Sequence, residues 1–89
     1  MGPLHFEQID PHRNRARFYR LEIRPTLFGE TVLVKAWGRV GTLGQQRELP
    51  VRDPAEAVAA LELETRIRLR RGYRPVDPGF DLPPLSGAL

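Results

Sequence analysis

Val34-Lys35-Ala36-Trp37-Gly38-Arg39-Val40-Gly41-Thr42-Leu43-Gly44-Gln45 ends an apolar strand-like run and opens a turn punctuated by glycine. It holds the only tryptophan and the only lysine of the 89-residue chain. Thr31 to Trp37 is rich in β-branched and aromatic residues, which suit a half-buried pleated surface. Alternation along a strand puts Val32, Val34, Ala36 and Gly38 on one face. Leu33, Lys35, Trp37 and Arg39 fall on the other. The small apolar face is expected to receive a helix. The opposite face strings together an ammonium, an indole and a guanidinium. Such a face suits nucleic acid, with a flat ring for a base or sugar and cations for phosphate. Gly38, lacking a side chain, would let a backbone or ligand approach closely. The structural alternative is that Trp37 caps a second small core and Arg39 makes an internal ion pair or cation–π contact.

The flanking segments complete the fold. Leu4 to Ile9 reads as a first strand or an extended edge, and Asp10 to Arg15 as a loop. Arg15 to Ile23 is a second strand ended by Pro25. Leu27-Phe28-Gly29-Glu30 is a turn, so residues 15–40 form an antiparallel hairpin. Aligning faces groups Phe18, Arg20 and Arg24 with Lys35, Trp37 and Arg39. Gly41 and Gly44 are hairpin glycines, since no G-x-x-x-x-G-K-[ST] pattern or helix start follows them. Gln45 to Val51 returns as another strand.

Asp53-Pro54-Ala55-Glu56 is a helix start, with a capping aspartate, proline at the first helical position and a capping-box glutamate. The helix runs to about Arg71 and stops at Gly72. Its main apolar stripe is Ala57, Val58, Leu61, Thr65 and Leu69. Ala60, Leu63 and Ile67 form a second stripe that needs a cover. Glu62–Arg66 and Glu64–Arg68 have the spacing of surface ion pairs. Arg70, Arg71 and Arg74 lack such partners and are candidates for phosphate, although they also suit the negative end of the helix dipole. The fold class is therefore α+β, a small antiparallel sheet of about four strands packed on one face by a single C-terminal helix.

Trp37-Gly38-Arg39, followed by Val40-Gly41-Thr42 and Gly44-Gln45 and by a helix ending in Arg71-Gly72-Tyr73, resembles the WGR domain family. The match covers Arg17 to Tyr73. The family occurs inside DNA-dependent poly(ADP-ribose) polymerases and as short stand-alone bacterial proteins. The resemblance implies a twisted antiparallel sheet packed by a helix, and a part in binding DNA ends. It implies that Trp37 packs on the sugar of a terminal nucleotide, that Gly38 gives close approach, and that Arg39 contacts DNA or a neighbouring domain. No catalytic domain, zinc finger or helical regulatory domain is visible, so polymerase activity is not expected.

Composition bounds the rest. The formal charge is +3 and the pI about 10.2, a soft electrostatic sign of nucleic acid. Cysteine is absent, and His5 and His12 are too isolated for a metal site, so no metal and no cofactor is expected. Ser86 is the only serine, and no nucleophile–base constellation is visible, so an enzyme is not expected. No signal peptide or transmembrane run is present, which makes a cytoplasmic protein the expectation. Residues 1–74 form the domain, and 75–89 a Pro-rich tail whose Phe80, Leu82 and Leu85 could cover the second helix stripe. The expected function is non-catalytic binding of duplex DNA, at ends or nicks, through Trp37, Gly38, Arg39, Lys35, Arg20, Arg70, Arg71 and Arg74. The alternative is a protein-interaction or self-assembly module using Ala60, Leu63, Ile67 and the tail.

Overall fold

A computed structural model describes residues 3–76. Strands β1 (Leu4–Asp10), β2 (Arg15–Pro25), β3 (Thr31–Arg39) and β4 (Gln45–Val51) precede helix α1 (Pro54–Arg70) and strand β5 (Arg74–Val76). They form one five-stranded antiparallel sheet in the order β4-β3-β2-β1-β5. The sheet thus has one strand more than the sequence signals show. β1 lies inside it, between β2 and β5, rather than at an edge. Both edge strands carry a proline, Pro50 in β4 and Pro75 in β5, where proline is tolerated. β5 crosses the boundary expected at residue 74. The rest of the Pro-rich tail, with Phe80, Leu82 and Leu85, lies outside the described residues.

The helix ends follow local chemistry. The Asp53 carboxylate accepts the Glu56 N–H at 2.8 Å, and the Glu56 carboxylate accepts the Arg52 N–H at 2.6 Å. One first-turn donor, and the N–H of the residue just before the cap, are satisfied in this way. At the far end Gly72 takes φ 89. Gly72 N–H donates to the Leu69 carbonyl and Tyr73 N–H to the Arg68 carbonyl, at 3.1 and 3.0 Å. This Schellman closure swings the chain back toward β1 and sets Tyr73 beside Arg68.

The β3–β4 turn is closed by contact between glycines. Gly44 has φ 67, and a methyl group there would collide with the Trp37 carbonyl oxygen and meet Phe18 Cζ at 2.9 Å. A methyl on Gly38 would stand 2.7 Å from Gly44 Cα. The close approach at Gly38 therefore serves the chain itself: the turn folds onto β3, and the Phe18 ring lies over both glycines.

The helix packs on the face opposite to the one expected. Phe6, Tyr19, Leu21, Leu33 and Leu61 form the core cluster, with Leu4, Ile23, Trp37, Leu49, Ala60 and Tyr73 packed around it. Register explains why. Tyr19 stands across from Trp37, Leu21 from Lys35, and Ile23 from Leu33. This face carries the larger apolar area, and burial energy scales with area. Val32, Val34 and Ala36 are also buried, but on the other face. There they are flanked by Arg24 and Pro50, Glu22 and Glu48, and Arg20 and Gln46, so neighbouring side chains shield them without a second layer. The same register moves Phe18, Arg20 and Arg24 away from the Trp37 face.

The two helix stripes prove to be the flanks of one inward face, centred on Ala57, Leu61, Glu64 and Arg68. Ala57 and Leu61 are buried. On one flank Ala60 packs against the core and Ile67 is half-buried, leaving Leu63 exposed. On the other flank Val58, Thr65 and Leu69 line a shallow apolar cleft with Leu4. No helix among the described residues is long and apolar enough to cross a membrane.

Gly44→Ala is expected to destabilise the fold by more than about 1 kcal/mol, because it adds both strain and collision. Gly29→Ala, whose methyl meets nothing within 4 Å, carries only the backbone cost of about 1 kcal/mol. Urea melts of the two variants read the difference.

Candidate nucleic-acid interface

Trp37 lies on the helix-covered face at the end where the helix stops. Its ring stacks on Tyr19 across the strand pair, with centroids 6.3 Å apart and planes 25° from parallel. Tyr73 meets Tyr19 edge-on at 6.1 Å. The Arg68 guanidinium sits over Tyr19 at 4.2 Å and near Tyr73 at 5.4 Å, a cation held between two aromatic faces. The sequence pairing of Arg68 with Glu64 is not the one formed.

Glu64 turns inward. One carboxylate oxygen accepts from Lys35 Nζ at 2.5 Å and the other from the Tyr19 hydroxyl at 3.4 Å. Both members of the ion pair are about four-fifths buried, with side-chain exposures of 20% and 18%. Burial, reinforced by the negative Glu64 beside it, pushes the Tyr19 phenol up to about 12. The hydroxyl therefore stays protonated and remains a donor. Lys35 is drawn out of the cation row expected on β3 into an internal pair, although it still borders the groove.

Arg39 emerges one pleat beyond Trp37 on the same face. Its guanidinium donates to the Asn14 backbone carbonyl at 3.4 Å and to Asn14 Oδ1 at 3.3 Å. Asn14 can offer both oxygens because it takes a left-handed φ of 51 after the 3-10 turn at Pro11–Arg13. The Arg39 carbonyl accepts from the Thr42 N–H and hydroxyl at 3.0 and 2.8 Å. Backbone and guanidinium of Arg39 are thus both held.

Around these residues runs a groove in two adjoining cavities. The first, about 450 Å³, takes Arg13, Asn14, Arg15, Arg17 and Arg39 on its walls, with Trp37 and Tyr73. The second, about 270 Å³, is formed by Lys35, Arg47 and Arg68 with Tyr19, and shares Trp37 and Tyr73. Seven of the chain's fourteen Lys and Arg residues border the two cavities; among the described residues no carboxylate does, although Asp10 pairs with Arg13 and Glu64 with Lys35. Arg17 stands directly across from Arg39, and Lys35 from Arg47. Like charges in direct register destabilise a sheet; Glu64 offsets this at Lys35, whereas none of the ion pairs among the described residues includes Arg17 or Arg39.

Of the residues singled out from sequence, Trp37, Gly38, Arg39 and Lys35 come together. Arg20 does not: it lies opposite Ala36 on the other face, in a separate cleft with His5 and Phe18. Arg70 and Arg71 are exposed at the helix end and border neither cavity. Arg74 pairs in register with Glu7 on β5. The two cavities also take in Arg13, Arg15, Arg17, Arg47, Arg68, Tyr19 and Tyr73, which the sequence alone does not place with Trp37. The alternation Arg15, Arg17, Tyr19 was visible, but its face could not be assigned without the register. Among the described residues no cluster of His, Cys, Asp or Glu could hold a metal ion.

The family model for the WGR domain matches residues 2–80. The chain is also 42% identical over 72 residues to a Sinorhizobium fredii protein carrying the name uncharacterized protein y4dW. That match takes in 81% of this chain and 35% of the relative, so the chain spans about a third of the relative's length. No solved structure matches.

Two outcomes test the internal network. Glu64→Ala leaves Lys35 unpaired in a mostly buried place and is expected to cost about 2 kcal/mol in chemical denaturation. In an alkaline absorbance titration, the wild type should show a phenolate component near 12 that Tyr19→Phe lacks. The folded phenol titrates above its unfolded value. Its stabilising contribution is therefore complete below about pH 10 and lost as pH rises toward 12.

Proposed function

Since this chain belongs to the WGR domain family, we propose that it is a non-catalytic nucleic-acid-binding module that holds duplex DNA at an end or a nick. The observation that carries the reading is the first cavity, where four arginines and two aromatic rings converge and no carboxylate among the described residues lines the wall. Phosphates fit the fork geometry of Arg13, Arg15, Arg17 and Arg39. The exposed part of the Trp37 ring offers a flat surface to the terminal sugar or base. Asn14 fixes the direction of Arg39, so less freedom is lost on binding.

The groups on the walls bind and orient; they do not form a nucleophile–base pair. The assembly reading through Ala60, Leu63 and Ile67 is weaker, because Ala60 is committed to the core. A cytoplasmic setting, where DNA is accessible, accords with this role. Activities of any larger protein do not follow from the domain.

Fluorescence anisotropy against blunt, nicked and single-stranded oligonucleotides is the test. Affinity for ends or nicks should fall steeply with salt as phosphate contacts are lost. Arg39→Ala should make the slope of log affinity against log salt shallower by roughly one. Its melting behaviour should move by no more than about 0.5 kcal/mol, as is usual for exposed side chains. Trp37→Leu keeps apolar packing on Tyr19 but loses the flat ring, and should lose about tenfold in affinity. Absence of binding at tens of micromolar protein refutes the reading.

A further inference from the structure

The groove does not end at Trp37. The second cavity continues past it, sharing Trp37 and Tyr73 with the first. We infer that this second cavity seats one unpaired nucleotide, so that the preferred ligand is a duplex end bearing a short single-stranded extension. The inference rests on the duplex-end reading above and adds the form of the end.

The chemistry of the walls selects the ligand. Trp37 and Tyr73 present aromatic surface over the buried Tyr19, and Arg47 and Arg68 present positive charge beside the paired Lys35. A ligand that satisfies both is planar, aromatic and anionic, as a nucleotide is. The acid nearest these cations is spent, since Glu64 already accepts from Lys35 and Tyr19. The Arg68 guanidinium lies over two aromatic rings, and among the described residues its buried Nε has no hydrogen-bond acceptor. Arg47 is exposed, takes part in none of the ion pairs among the described residues, and stands in register with Lys35. With Lys35 already paired to Glu64, Arg47 is the cation left for an incoming phosphate.

At about 270 Å³ the cavity falls just below the range of about 300–1,000 Å³ that holds drug-sized ligands, a scale that suits one base with its phosphate. An unpaired nucleotide also enters without the cost of breaking a pair.

The test compares a blunt duplex with the same duplex carrying one to three unpaired nucleotides on either its 5′ or its 3′ strand, by anisotropy at one fixed salt concentration. An extension of one polarity should bind about tenfold tighter than the blunt end, the scale of one base stacked on an aromatic side chain. Replacing the first unpaired nucleotide by an abasic residue should remove most of that gain. Arg47→Gln should bring the extension-to-blunt ratio close to one. Arg17→Gln, on the first cavity, should weaken both ligands together and keep the ratio. Thermal melts check that each variant is folded. Blunt-end binding with a wild-type ratio of one overturns this inference and leaves the duplex-end reading standing. A ratio kept by Arg47→Gln, or kept by the abasic extension, also overturns it. Failure to bind any duplex end removes both.

Discussion

The Glu64 carboxylate is the constraint on which the arrangement depends. A helix laid across this sheet must cover Lys35, and an uncompensated ammonium there would make the layer unfavourable. Glu64 meets that ammonium from the helix side and also takes the Tyr19 hydroxyl. The helix can then be apolar inward over its first half, at Ala57 and Leu61, and charged inward over its second. The charged half is what brings Arg68 under the tyrosines. Core and groove are thus successive parts of one helix face.

Local signals made the elements legible. The strands, the hairpin turns, the aspartate cap and the stop at Gly72 each rest on chemistry within a few residues, and each appears where it was read. The covered face was not legible. Alternation divides β3 into two sets of side chains but does not say which set meets the helix. That choice depended on the register with β2, which puts Tyr19, Leu21 and Ile23 behind Trp37, Lys35 and Leu33. It also depended on a helical acid that the i,i+4 rule assigned to Arg68. β5 was hidden for a different reason: a three-residue strand containing proline has no periodicity to detect.

The candidate site was legible only where the motif itself reports it. Trp37 and Arg39 stand out because a tryptophan and an arginine flank a glycine at a strand end. The remaining cations come from β2, β4, the β1–β2 turn and the last turns of α1, and only the folded sheet assembles them. The middle residue of the motif has a meaning that composition could not convey. Gly38 lets the following turn close against β3, and that closure holds the Arg39 carbonyl through Thr42. The glycine is an architectural residue whose effect is felt at its two neighbours.

The prolines at the two rims of the sheet bear on behaviour in a crowd. At high local concentration, unprotected edge strands of neighbouring molecules can zip together. Proline is accommodated in a rim strand where its missing N–H points outward, so Pro50 and Pro75 each leave a gap in the ladder that a second molecule would need. β5 adds brevity, at three residues, and β4 adds the charges of Arg47 and Glu48. Both rims are therefore poor templates for a strand from a second copy, and fibril formation is discouraged where crowding would otherwise favour it.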